Sequence, residues 1–366
     1  MRFVYALLCL IGIIGSTHAQ AQANVAKSST AISMKESTKA ASDRRLLLTP
    51  VETIEMPSEP AGMFENPLKC DADGNLYLKT ETDGPTGFRK INLKAKKTIL
   101  FQASSAPSDL GKLDLSTYFS VAADGDVYQL VYPHQITRYV FVYKSDGSYK
   151  SNIKLDPGFS WSTAQLAVFS SGDLLVTGTE YDRDPESPKI PFTGVFASDG
   201  RLLKEVSLKD DQVIHDLAAA GDRRVTSPEY AAGNRAVDLG EVESAEDGNV
   251  YLMRRISPAI VYAISPGGAV VRRFVVDPGE KSLVPTSMHI AGRRIALQFF
   301  EPQTSRQIIK VVDLEGHALA TYGEAMADGY PALGLALACY SVNPERFTFL
   351  TTMKDDTLGV AIAEPR

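Results

Sequence analysis

Tryptophan occurs once, cysteine three times and histidine five times among the 366 residues. So few thiols exclude a cysteine-framework scaffold, and no H-E-x-x-H or H-x-H pair is present to hold zinc. G-x-S-x-G and Walker-type loops are also missing, which removes the common hydrolase and nucleotide-binding signatures. Beyond Gly15 no apolar run approaches the roughly 20 residues needed to cross a bilayer as a helix. A basic face is lacking too. The net charge is −6, but Arg2 and residues 20–45 (five basic, two acidic) together carry +4, so residues 46–366 carry −10. Phosphate contacts need clustered cations, and nucleic acid is excluded as a partner.

What is present begins with an N-terminal leader. Arg2 precedes an uncharged apolar run from Phe3 to Gly15, and small residues follow at Ser16, Thr17, Ala19 and Ala21. This is the pattern of a secretory signal peptide, assigned to residues 1–19, and it removes Cys9 from the mature chain. Residues 20–45, rich in Ala, Ser, Thr and Lys without an aromatic, read as a disordered leader. A soluble periplasmic or extracellular protein is expected, with no integral membrane segment after cleavage.

From residue 46 onward one pattern recurs: an apolar stretch, a tight polar turn, then alternating apolar residues. Its copies include CDADGNLYLKT (70–80), VAADGDVYQLVY (121–132), VFSSGDLLVTGT (168–179) and SAEDGNVYLMRR (244–255). Weaker copies lie at 288–300 and 340–350. Steps between the turns are 51, 47, 76, 44 and 53 residues. Gly supplies positive φ, and Asp and Asn tolerate left-handed backbone, so each turn reverses a strand tightly. A second hairpin follows most copies, as in FVYKSDGSYKSNIKL (141–155) and GVFASDGRLLKEVSL (194–208). In FRKINLKAKKTIL (88–100) the same element has Lys in place of Gly.

Two hairpins per repeat make a four-stranded antiparallel sheet, and such repeats predict an all-β, six-bladed β-propeller over 46–366. The last blade lacks one strand after TLGVAIAEPR (357–366). LLLTPVETIEM (46–56) supplies it, so the ring closes by pairing N- and C-terminal strands, and a monomer suffices. The long 76-residue step is read as an insertion at 209–242. The D-x-D-G-N-L-Y turn at 71–77 and E-D-G-N-V-Y at 246–251 resemble those of NHL-repeat and TolB-like propellers. That resemblance implies the fold; those families include partner-binding scaffolds, sugar-acid lactonases and lyases.

The longer, more varied loops gather on the face opposite the Asp-Gly turns, where binding residues are expected. Candidates there are Tyr132, His134, Phe159, Trp161, Tyr181, Asp182, Arg183, Arg254, Arg255 and Glu301. Together they would supply an aromatic wall, guanidinium groups for a carboxylate, and acids for a hydroxyl or cation. Asp71-x-Asp73-Gly74-Asn75 reads as a turn and not as a metal loop, since other copies replace the first acid. No metal, cofactor or catalytic residue is assigned, although His134 or His289 is placed to act as a base in a lyase. Cys70 and Cys339 fall on inner strands of neighbouring blades; export permits a disulfide between them, while the spacing of inner strands favours two buried free thiols. The reading is an exported, non-catalytic binding or scaffold propeller for a protein, peptide or glycan. The alternative is a lactonase- or lyase-like enzyme with a polar pocket at the channel mouth.

Overall fold

The computed structural model describes residues 45–366, apart from 61–63, 81–82, 85–86, 103–112, 134–136, 181–189, 209–240, 255–256, 281, 302, 325, 328–329, 332, 335 and 354–356. The signal and leader assignments therefore lie outside the described residues, as does nearly all of the insertion. Every regular element described is a strand. The first, β1 (Leu46–Pro60), is followed by four separate four-stranded antiparallel sheets. Blade I comprises β2 (Phe64–Cys70), β3 (Leu76–Thr80), β4 (Phe88–Asn92) and β5 (Lys97–Phe101). Blade II comprises β6 (Leu113–Val121), β7 (Val127–Pro133), β8 (Arg138–Tyr143) and β9 (Tyr149–Leu155). Blade III comprises β10 (Trp161–Val168), β11 (Leu174–Glu180), β12 (Ile190–Phe196) and β13 (Leu202–Glu205). Blade IV comprises β14 (Val242–Ser244), β15 (Val250–Arg254), β16 (Ala259–Ile264) and β17 (Val270–Val276). Val242 was read as part of the insertion, yet it opens β14.

Six independent blades were expected; the remaining strands form one eight-stranded sheet instead. One half is β18 (Val284–Ala291), β19 (Arg294–Glu301), β20 (Arg306–Asp313) and β21 (Ala318–Glu324). A small ladder of β22 (Met326–Ala327) and β23 (Tyr330–Pro331) follows. The other half is β24 (Ala336–Val342), β25 (Glu345–Thr352), β26 (Thr357–Pro365) and β1. The N- and C-terminal strands pair antiparallel from Leu48↔Pro365 to Pro60↔Thr357. The length of β1 fuses the two halves. Its first residues, Leu46–Leu48, extend far enough to pair in parallel with Tyr322–Glu324 at the edge of β21.

The cores follow the ring. Separate apolar clusters join I to II, II through III to IV, IV to β18–β21, the two halves of the closing sheet, and that sheet's second half to I. The innermost strands β2, β6, β10, β14, β18 and β24 pack against one another in that cyclic order.

Glycine in the second-hairpin turns lets each sheet sit tightly on the one before it. At Gly200 a β-carbon would stand 1.9 Å from Lys154 O on blade II, and Asp156 N donates to Gly200 O at 3.1 Å. At Gly316 a β-carbon would meet the Phe274 ring of blade IV at 2.5 Å. Gly147 and Gly268 are similarly close to Ile99 and Lys204. In blade I the same turn position is Lys96, exposed, with φ 49°. A side chain is tolerated there, and the neighbour across that seam is the closing sheet.

Cys70 on β2 and Cys339 on β24 form a disulfide across this seam, with Cα atoms 5.5 Å apart. The expectation of two free thiols is thereby corrected. The innermost strands β2 and β24 pack directly on one another, and that Cα separation lies within bridging range.

Candidate functional site

Polar side chains from the innermost strands meet at the centre of the ring. Lys69 on β2 donates from Nζ to Glu243 Oε1 (2.8 Å) and Val242 O (2.9 Å) of β14, and to Glu241 Oε2 (3.2 Å) just before it. Tyr118 OH on β6 donates to the same Glu241 oxygen at 3.0 Å, and the Lys69 ammonium lies 5.3 Å from the Tyr118 ring centroid. His289 on β18 contacts Leu337 O of β24 through Nε2 (2.9 Å) and faces Glu243 Oε1 from Nδ1 at 3.9 Å. Five of the six innermost segments thus contribute.

Burial governs the protonation of this cluster. Desolvation by itself would lower the Lys69 pKa, but Glu243, Tyr118 and Glu241 outweigh it and hold the ammonium well above the ordinary lysine value. Burial pushes the His289 imidazole down; Glu243 opposes that and Lys69 reinforces it. The resulting state is a charged lysine between two glutamates beside a neutral histidine. Lys69 is buried (3% exposed) and matched by both glutamates, of which Glu243 is part-buried.

A groove of about 780 Å³ opens on the side of the first-hairpin turns. Its axial end is formed by the turns after β2, β14, β18 and β24. From there it follows the seam between blade I and the closing sheet, out to Leu93–Lys96 and to Glu52–Glu55 of β1. Cys70 and Cys339 lie in its wall. The volume falls in the range of ligand sites. At the axial end the Asp71 carboxylate accepts from Asn75 N (2.9 Å), Asn75 Nδ2 (2.8 Å) and Tyr77 OH (3.0 Å). Partial burial would raise its pKa, but these bonds and Lys90 at 3.3 Å hold it below the ordinary aspartate value.

No protein-family model matches the chain, and no curated protein does. Solved structures similar to it include the PQQ-bound aldose sugar dehydrogenase of Streptomyces coelicolor (10% identity, covering 87% of this chain and 98% of that one, TM-score 0.46). A Dos1 propeller (10%, 87% and 95%, 0.43) and luciferin-regenerating enzyme (10%, 86% and 95%, 0.49) are others. These neighbours are propellers that mix enzymes with a non-enzyme. At such scores they bear on neither reaction nor ligand, and the propeller-like description rests on the strand order itself.

The long-loop candidates that lie on described strands stand on separate sheets. Trp161 is 2% exposed and stacks on Phe196 at 5.5 Å, with Phe192 and Phe159 edge-on at 5.4 and 6.5 Å. Trp161 is therefore blade III core, with Phe159 half-buried against it. Arg254 is buried at the end of β15. Glu301, also buried, accepts from Thr304 Oγ1 at 2.5 Å and pairs with Arg306 at 3.3 Å. The backbone of Tyr132 pairs with Leu115 in blade II. His134, Tyr181, Asp182, Arg183 and Arg255 lie outside the described residues. Lys69, Glu241 and Glu243 went unrecognised, although one signal was available: Lys69 and Glu243 each stand two residues before the first turn residue, where blade III has Ala167.

Proposed function

We propose that this chain is an exported, non-catalytic binding propeller of six four-stranded blades. The observation that carries the reading is the central Lys69–Glu241–Glu243 cluster. The lysine, acids and histidine that an enzyme would present to a substrate are instead engaged with one another. Counting each half of the eight-stranded sheet as a blade gives six, a count supported by the cyclic order of the innermost strands and by the NHL- and TolB-like turns. Export is supported by the N-terminal pattern and by the disulfide, which persists in oxidising compartments. Among the described residues, the groove on the first-hairpin side is the candidate binding surface. A monomer is proposed because β1 and β26 satisfy each other.

The test incubates the protein with sugar lactones, uronate oligosaccharides and short peptides, following melting temperature and reactant mass together. A ligand at 100 times its Kd stabilises the native state by about 2.7 kcal/mol. The expected outcome is stabilisation by one class without consumption of any compound. Consumption that disappears in Glu243→Gln would overturn the reading in favour of a lactonase- or lyase-like enzyme.

A further inference from the structure

We infer that the groove at the seam of blade I and the closing sheet takes an extended, cationic peptide segment of a partner protein. The inference rests on the binding reading above and names the chemistry of the ligand. Shape comes first. Four seams around the ring bring a second-hairpin turn glycine against the preceding sheet, and at Gly147, Gly200, Gly268 and Gly316 a β-carbon would collide with or crowd its neighbour. At the fifth, Lys96 replaces glycine and the seam stands open as the groove, held at its inner end by Cys70–Cys339. Its course along one blade spans three strand spacings of about 4.8 Å, roughly 14 Å in all, which about four extended residues would cover.

Charge decides what kind of segment fits. At the axial end Asp73 and Glu246 face the groove from blades I and IV, both exposed, beside the ionised Asp71. Lys90 pairs with Asp71 at 3.3 Å behind that end, which leaves Asp73 and Glu246 as the carboxylates facing the groove there. The basic residues of the groove lie farther out: Arg346 is tied to Glu364 at 2.7 Å, while Lys94 and Lys96 on the outer lip share it with Glu52 and Glu55. Ile54, Leu93, Ile290 and Val342 give the walls an apolar component. A segment alternating apolar and basic residues, its basic end toward the axis, complements both features.

The experiment titrates the intact protein with three blocked, labelled tetrapeptides, Leu-Arg-Leu-Arg, Leu-Gln-Leu-Gln and Leu-Glu-Leu-Glu, and maps hydrogen exchange in each mixture. The basic peptide should bind tightest, weaken with salt, and protect residues 71–75 and 244–246. Asp73→Asn with Glu246→Gln should weaken it about three- to tenfold, as expected for two solvent-exposed charge contacts. Glu205→Gln, on the outer strand of blade III, should leave it unchanged. Equal binding of the three peptides, no binding of any, or an unaffected double variant would overturn the inference. If a neutral ligand or a glycan protects residues 71–75 and 244–246, the charge assignment fails while the binding reading stands. If lactone turnover appears, the binding reading itself fails.

Discussion

Lys69 is the residue whose loss should be felt most. It is buried and is the cation for one buried and one part-buried carboxylate, so Lys69→Met leaves Glu241 and Glu243 without their shared lysine. We expect a loss of about 3–5 kcal/mol in denaturant unfolding at neutral pH, largely recovered when both glutamates are also replaced by glutamine. His289 adds a pH dependence of defined sign. Its pKa is lowered in the folded chain, so as pH falls through about 6.5 the unfolded chain takes up a proton that the folded chain refuses. Stability is therefore full above that point and declines below it, by at most about 1.4 kcal/mol per pH unit. Unfolding measured from pH 7.5 to 5 should show a steeper decline for the wild type than for His289→Gln. Asp71, Asp247 and Asp313, all lowered, act in a separate window. Their contributions are present above about pH 3.9 and vanish as pH falls through their folded values.

At the scale of the element, the two families of turn glycine have different reasons to be glycine. Gly74 has φ +75° and nothing near its missing β-carbon, so Gly74→Ala meets only the left-handed backbone cost, about 1–2 kcal/mol. Gly200 has φ +89° and a carbonyl oxygen in the way, so Gly200→Ala should cost at least about 1 kcal/mol more. Thermal unfolding of the two variants side by side checks the order. Sequence showed both turns with equal clarity, because period-two alternation around Asp-Gly is a local signal. It also showed that blade I has Lys where its relatives have Gly. That this exception leaves a seam open depends on the closing sheet, assembled from β1 before Lys96 and from β25 and β26 near the far end of the chain, and no local pattern carries that. Trp161 failed for the opposite reason: a loop-like Pro-Gly approach suggested exposure, while the packing of Phe192 and Phe196 drew the indole inside. The Lys69–Glu243 pair was hidden because a lone charge in a strand reads as surface until its partner strand is known.

For the whole molecule, the junction between the first and last sheets is held twice, by the β1–β26 ladder at the outside and by Cys70–Cys339 at the inside. Removing the disulfide in a Cys70→Ser, Cys339→Ser variant should lower stability by about 2–4 kcal/mol, with the far-ultraviolet spectrum unchanged because the ladder survives. A spectrum that collapses would show that the ladder alone cannot close the ring. The bond has another consequence. It joins residues 269 positions apart, so the chain between them is a covalent loop bearing two linear tails, one before Cys70 and one after Cys339. A protease that cuts this loop once, in any connection between the sheets, releases no fragment. The nicked chain would run as one band on a denaturing gel and resolve into two pieces only after a thiol is added, whereas a cut in either tail would shed its piece at once.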